Sequence, residues 1–582
     1  MKRSSNYDKF PSIRVPVSRE RVWQGWREIG SALSAEISRG ARRIAVEVYP
    51  GVFEDQVLRA LIDALHPDHV FRTMECWRTL EEIDALVRND LTEDPVFGRI
   101  SRLTIDNFAE PRATAQLHER CRTAKGTTLT FGTGTSLIEP EPDVLVLADL
   151  ARWEIQRRQR TNRIGNFPAS NVNETPAAKY KRAFFVDWRV ADRVKEDLIG
   201  RVDYLLDTND PSSPKMTTGE AFRAGLEAAT HRPFRVVPFF DPGPWGGQWM
   251  REVCDLPDGP ANYAWCFDCV PEENSLLLEM AGVKIEVPAM DLVLRHPREL
   301  LGESVYARFG AEFPIRFDFL DTMQGGNLSL QVHPLKQYII ENFGMGYTQD
   351  ESYYLLDAAP DASVYLGLKT GIDPTAMIGD LRCAQNGGAP FDAYKYVNKW
   401  PAKKHDHFLI PAGTIHCSGA NSMVLEISAT PYIFTFKLWD WGRPGLDGKP
   451  RPIHLEHGCA NIQWNRDTDW VRTNLLNRVE KVAEGNGWLE EKTGLHEEEF
   501  IETRRHWFTA PVEHSTVDGV NVLNLVEGRE VVVESPTGAF EPFHVHYAET
   551  FIVPAKVGRY TVRPIDAAKP CATVRASVRT DR

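Results

Sequence analysis

Four polar residues in the middle of the chain have the types and spacing to hold a divalent cation. Gln331 and His333 lie two apart in Leu328-Ser-Leu-Gln-Val-His-Pro334, where apolar and polar residues alternate. In a β-strand alternate side chains share a face, so the amide and the imidazole point the same way. Glu351 opens the next strand-like run, "ESYYLLDA", and His416 follows a Pro411-Ala-Gly413 turn ahead of "SMVLEIS". Two imidazoles, a carboxylate and an amide oxygen can bind zinc or a similar ion with one position left open. Glutamine is an uncommon zinc ligand, and each of the four could instead be an ordinary hydrogen-bonded strand residue. Spacing alone leaves both readings open.

These residues need strands to carry them, and the surrounding sequence supplies strands. From about residue 232 to 465, short β-type runs dominate: "SLLLEM", "NLSLQVH", "SYYLLDA", "SVYLGL", "HFLIPAG", "SMVLEISA" and "YIFTFKLW". Their spacing predicts an antiparallel barrel or jelly roll. "DWVRTNLLNRVEKVAEG" reads as helical, within a segment placed at 466–504. Strands return over 505–582 in "VNVLNLVEG", "REVVVES", "TFIVPAK" and "RYTVRP", giving a second barrel.

Ahead of the barrels, residues 1–228 read as an α/β domain with a parallel sheet. "RRIAVEVYPG" is a short strand entering a turn, and "EDQVLRALIDAL" places Val57, Leu58, Leu61, Ile62 and Leu65 at helical spacing. "RLTIDNF", "VLVLADL", "AFFVDW" and "DYLLDT" read as further strands, and "RVADRVKEDLI" and "TGEAFRAGLEAAT" as helices. The strand–turn–helix at Ala45–Val57 and the later "VLVLADLARWEIQRRQR" faintly resemble a uridine-kinase-like P-loop domain. A phosphate-binding P-loop needs GxxxxGK[ST]. Here Gly51 is followed by Val52, Phe53, Glu54 and Asp55, two of them carboxylates, so the expectation is a kinase-like domain without phosphoryl transfer.

At 582 residues the chain calls for several domains, and 42% hydrophobic with 26% charged residues fits a globular protein. A net charge of −13 argues against a general nucleic-acid binder. No apolar run approaches the roughly 18 residues needed to cross a bilayer. The start has neither an apolar core nor a cleavage site, and the nine cysteines are scattered, so the expectation is a cytoplasmic protein. Cys266-Phe-Asp-Cys269 lacks the second pair of a zinc ribbon.

Taken together, "PWGGQW", "LSLQVHP", "ESYYLLDA", "IPAGTIHCSGANSMVLEIS" and "FKLWDWGRPGLDGKPRPIHLEHG" resemble class I mannose-6-phosphate isomerase, in order, over about residues 232–582. The resemblance implies two cupin-type barrels with a helical part. It also implies one zinc per chain on Gln331, His333, Glu351 and His416, and aldose–ketose isomerisation of a sugar or sugar phosphate. It places a catalytic arginine at Arg443. Lys437 lies six residues earlier and is a candidate for substrate contact.

Two departures bear on the substrate. The family's "FPLLxKxxDA" block, whose lysine helps to bind phosphate, is here "FPIRFDFLDT", with Asp318 at the lysine position. Arg316, two residues before it on the same strand face, is a candidate either to take over substrate phosphate binding or to pair with Asp318. "TQDE", with Gln349 and Asp350, replaces "GKTE". The alternative function is a sugar-binding or regulatory protein on the same scaffold. A second candidate metal set, His544, His546 and Glu549, lacks the later histidine of a cupin site, so the second barrel is expected to be metal-free. His405 and His407 are expected to be exposed polar residues.

Overall fold

The computed structural model describes residues 5–429, 434–494, 496–497 and 499–579. The chain forms two compact units. One comprises residues 12–229 and 273–296, the other 1–11, 230–272 and 297–582. Among the described residues no helix is long and apolar enough to cross a membrane.

The first unit is built on β1 (Arg43–Val48), β2 (His69–Arg72), β3 (Thr128–Gly132), β4 (Val144–Asp149) and β5 (Tyr204–Asp207). These run parallel in the spatial order β5-β4-β1-β3-β2, and two antiparallel strands extend the sheet beyond β5. β1 and β4 are buried along nearly their whole length, as strands covered on both faces must be. The helix Glu54–Leu65 follows β1 and buries Val57, Leu58, Leu61 and Leu65 on one stripe.

In such a sheet a ligand crevice lies beyond the carboxyl end of the central strand. Beyond β1, however, the protein fills that place with its own groups. The loop N–H groups of Val52 and Glu54 donate to Tyr49 and Val52 carbonyls. The Arg158 guanidinium donates to the Gly51 carbonyl at 2.9 Å and packs over the Phe53 ring. At the end of β4, Lys195 is clamped between Asp149 (2.6 Å) and Asp291 (2.9 Å).

Three local expectations give way to the structure. "RLTIDNF" contains the short helix Ile105–Phe108, started by a capping box of Thr104 and Asn107. "AFFVDW" has aromatic and β-branched residues but forms a π-helical turn, Ala183–Asp187, between two helices, with all five residues buried; burial overrides strand propensity. "SLLLEM" is not a barrel strand: Ser275–Met280 pairs with Ser12–Val15 and Val283–Pro288 in the first unit.

The second unit holds two pairs of antiparallel sheets. The strands that matter to the first pair are β6 (Arg316–Asp321), β7 (Leu330–Val332), β8 (Glu351–Ala358), β9 (His407–Ile410), β10 (His416–Ser418), β11 (Ser422–Ser428) and β12 (Phe436–Trp439). β9-β8-β11-β6 form most of a six-stranded sheet, and β10-β7-β12 are consecutive in a five-stranded one. The second pair contains β13 (Trp488–Gly494), β14 (Ile501–Phe508), β15 (Val512–Ser515), β16 (Asn521–Glu527), β17 (Arg559–Pro564) and β18 (Cys571–Val578). Phe508, Leu523, Leu525 and Phe551 from one of its sheets pack with Val512, Val531, Tyr560 and Val562 from the other. The expected helix over 469–485 stops at Asn474, and Glu480–Gly485 instead pairs with β13. The cause is the Asn486-Gly487 turn, a strong two-residue hairpin signal, with Gly487 at φ +82.

Candidate metal centre

β7, β8 and β10 bring His333, Glu351 and His416 together. All three are fully buried, and their ligating atoms lie within 4.8 Å of one another. His416 Nε2 is 2.8 Å from Glu351 Oε1, and His333 Nε2 is 3.1 Å from Glu351 Oε2. Gln331 pairs with His416 across β7 and β10, and its amide nitrogen lies 3.2 Å from His416 Nε2. Rotation of the amide by half a turn exchanges its nitrogen and oxygen in that position.

The far side of each ring fixes its protonation. His333 Nδ1 lies 2.7 Å from the Phe434 carbonyl, and His416 Nδ1 lies 2.9 Å from the Thr414 carbonyl. A carbonyl only accepts, so both Nδ1 atoms carry hydrogen. In the neutral rings the Nε2 lone pairs then face the Glu351 carboxylate. Lone pairs turned on a carboxylate in a dry interior repel unless a cation lies among them. The donor set therefore fits a divalent metal, and the backbone carbonyls orient the imidazoles as metal-bound histidines are usually oriented. Burial pushes the Glu351 carboxyl up; positive charge on the two imidazoles, the protonated alternative to a bound cation, outweighs it and holds the group well below the usual range.

A residue with no place in the sequence expectation as a support completes the surround. Gln349 donates from Nε2 to Glu351 Oε2 at 3.0 Å and accepts the Phe434 N–H at 3.0 Å. Phe434 also orients His333, so one glutamine ties the carboxylate to the backbone that aims the imidazole. The departure from "GKTE" is thus built into the centre.

The wall beside the centre is acidic. Asp318 of β6 pairs in register with Glu426 of β11, which is the register partner of Tyr353 on β8. Arg316 Nε lies 3.1 Å from Asp318 Oδ1, and both side chains are buried. Burial raises the Asp318 carboxyl to about 6, with Arg316 opposing and Glu351 adding to the rise. Glu426 is raised well above the ordinary range by burial and then by Asp318 and Glu351. A lone glutamate in the apolar run "SMVLEIS" was the available signal for it.

The other candidates separate. Lys437 is the register partner of Gln331 across β7 and β12, on the face of the metal ligands. Among the described residues no side chain pairs with its ammonium. Burial, with Arg451 nearby, lowers it to about 8. Arg443 donates to the Asn327 carbonyl and, at 2.8 Å, to Asp440, before the start of β7, and its charge reaches Cys417, which follows His416. His544 is exposed and bonded to Glu530, while His546 is bonded to Glu549, which Arg235 also holds at 2.8 Å. Cys266 and Cys269 are buried free thiols. His407, expected at the surface, is wholly buried in β9 against Tyr354. Its neighbour His405 bonds to Tyr354 and Glu527.

Residues 25–231 match a family described as a domain of unknown function, DUF8485. Mannose-6-phosphate isomerase of Streptococcus mutans is 30% identical over 217 residues, which is 36% of this chain and 62% of that protein. Mannose-6-phosphate isomerase ManA of Bacillus subtilis is 28% identical over 239 residues, or 40% of this chain and 69% of that protein. The chain thus spans less than two thirds of the length of the S. mutans relative. Among solved structures, the mannose 6-phosphate isomerase of B. subtilis overlaps 60% of this chain and 99% of its own at 17% identity, with a TM-score of 0.48. A zinc-bound mannose 6-phosphate isomerase overlaps 59% of this chain at 15% identity, with a TM-score of 0.45. Part of the chain is similar to mannose-6-phosphate isomerases.

Proposed function

We propose that the chain is a metal-dependent aldose–ketose isomerase that binds one zinc ion through Gln331, His333, Glu351 and His416. Its substrate is an aldose of the mannose type that carries no phosphate. The observation behind this reading is the convergence of two lone-pair-bearing Nε2 atoms and one carboxylate on a single buried point. Similarity of part of the chain to named isomerases supports it.

Shifting a carbonyl between C1 and C2 removes a carbon-bound proton and builds negative charge on the two oxygens. A metal bound here supplies a Lewis acid that polarises the sugar oxygen and holds that charge. Lys437 stands on the same face, and its half-buried ammonium has been brought towards neutrality. We assign it to hold the proton at Nζ beside the reacting oxygens, the role for which a buried lysine is suited. Arg443 we assign to positioning: it holds Asp440 and the Asn327 carbonyl at the turn from which β7 starts.

The wall supports the reading of a substrate without phosphate. Arg316, the cation nearest the lysine position of the family block, is already engaged by Asp318, and Glu426 faces Asp318. A phosphate dianion there meets two carboxyl groups for one guanidinium. The N-terminal unit we read as kinase-like in sheet order and without phosphoryl transfer, because the loop after Gly51 carries Glu54 and Asp55 in place of the P-loop lysine and hydroxyl.

Metal analysis of the purified protein, run beside an isomerase assay on free mannose and mannose 6-phosphate, tests the proposal. Stoichiometric zinc with turnover of free mannose is the expected result. Strong preference for the phosphate ester overturns the substrate assignment, and zinc without turnover of either sugar points to a sugar sensor.

A further inference from the structure

The interior of the second pair of sheets is apolar at one end and polar at the other. Along β14, Phe508 joins the apolar core and His506 lies two residues before it on the same face. Along β15, Val512 joins the core and His514 follows on the same face. Along β18, Cys571 joins the core, and Thr573 and Arg575 continue that face. His506 pairs with Thr573, and His514 with Tyr560. The polar residues therefore gather at one end of the same interior.

A cavity of about 1110 Å³ opens there, with His506, His514 and Arg575 in its wall. His506 is 2% exposed and His514 6%. Their rings meet edge-on with centroids 4.5 Å apart, and His514 stacks on Tyr560 at 5.1 Å. Arg575 is near enough for its charge to act on both histidines and on Tyr560. Burial, more than any neighbour, keeps both imidazoles neutral.

His506 Nε2 lies 3.4 Å from Glu490, but much of the remaining hydrogen-bonding capacity of this group is unspent. His506 Nδ1, His514 Nε2, Thr573 Oγ1 and Arg575 Nε are all buried without a hydrogen-bond partner among the described residues. Four such atoms in one place are unusual, because buried polar groups are nearly always paired. Several carboxylates also line the cavity, but cations hold most of them. Arg504 takes Glu490 and Glu502, and Arg559 takes Glu513, while Glu497 and Asp518 are exposed. Arg575 and Lys492 line the same cavity without an ion pair among the described residues.

We infer that this cavity is a second ligand site, which takes a small hydroxylated oxyanion such as a sugar acid or sugar phosphate. Arg575 and Lys492 meet the carboxylate or phosphate oxygens. His506 and His514 exchange hydrogen bonds with hydroxyl groups. Each unpartnered imidazole nitrogen can pair with a sugar hydroxyl, which both donates and accepts. A neutral polyol leaves the two cations unmatched, and a bare anion leaves the imidazoles unmatched. The site shares no residue with the metal centre, so the inference stands apart from the proposed isomerase activity.

Isothermal titration of the full chain with D-glucuronate, inorganic phosphate and sorbitol tests this. Glucuronate is expected to bind saturably and more tightly than sorbitol. Arg575→Gln is expected to weaken glucuronate by about tenfold or more, the usual scale for losing a charge-assisted hydrogen bond. Lys492→Gln, at a half-buried position that tolerates exchange, carries the same expectation without disturbing the interior. Saturable phosphate binding that falls in both variants, with none of glucuronate, assigns the oxyanion as phosphate and supports the site. Equal affinity in wild type and both variants, or no saturable binding of either anion at millimolar concentration, overturns it.

Discussion

Lys437 stands directly opposite Gln331 across the antiparallel pair β7–β12, so a cation and a candidate metal ligand share one face. Arg443, six residues further along, is turned to the Asn327 carbonyl and Asp440 instead. The two residues therefore predict different losses. Lys437→Met is expected to lower kcat by about 10²-fold or more, the scale of a lost proton-transfer group, with zinc content unchanged. Arg443→Ala is expected to lower thermal stability while the folded protein keeps most of its kcat. Steady-state kinetics, metal analysis and a melting curve on both variants check this, and the reverse pattern would return catalysis to Arg443.

Gln349 links Glu351 to the Phe434 backbone, whose carbonyl fixes the His333 ring. Groups that orient metal ligands in this way contribute about 10–100-fold to metal affinity. Gln349→Leu is accordingly expected to weaken zinc by that factor in competition with a chromophoric chelator. The loss should be smaller than that of Glu351→Ala, which removes a ligand and leaves two imidazoles without the carboxylate between them. Unchanged affinity in Gln349→Leu would show that the link is incidental.

In the sequence, period-two alternation relates only Gln331 and His333, and the resemblance rather than the spacing adds Glu351 and His416 to the set. "LSLQVHP" alone placed Gln331 beside His333. What the sequence could not show is which strand lies against which. The support from Gln349, the Asp318–Glu426 pairing and the choice between Lys437 and Arg443 all depend on contacts between strands or loops distant in sequence. In the first unit the strands "RRIAVEVYPG", "VLVLADL" and "DYLLDT" were readable as buried apolar runs. "AFFVDW" was not, because aromatic content favours strands and only its helical flanks decide otherwise. The hairpin at Asn486-Gly487 was missed although its turn signal was present, since an apparent helical period ran across it.

The acidic wall gives a prediction about substrate. Asp318 is buried against Arg316 and faces Glu426. Two unit charges about 5 Å apart interact by about 3 kcal/mol at an effective dielectric of 20. Asp318→Asn removes one carboxylate and frees Arg316 from its partner. The ratio of kcat/KM for mannose 6-phosphate to that for free mannose is expected to rise about tenfold, allowing for screening of the full Coulomb term. Competition kinetics with both sugars in one vessel reads the ratio directly. A ratio that does not move removes Asp318 from the specificity argument.

His407 makes the stability of this unit sensitive to acid. Its ring is wholly buried in β9 with neither nitrogen hydrogen-bonded among the described residues. Burial, with Arg505 adding, lowers it to about 3. The unfolded chain takes up a proton near the ordinary histidine value of about 6.5, whereas the folded chain does not until far lower pH. Stability from this residue is therefore complete above about 6.5 and is lost as the pH falls towards 3. Each unit in that window costs about 1.4 kcal/mol, so wild type at pH 5 should be about 2 kcal/mol less stable than at pH 7 on this account alone. His407→Phe keeps an aromatic ring in the space and removes the titration. Urea unfolding midpoints at pH 7.5, 6 and 5 are expected to fall less steeply in the variant than in wild type. Parallel slopes for the two proteins would show that other groups dominate the acid response.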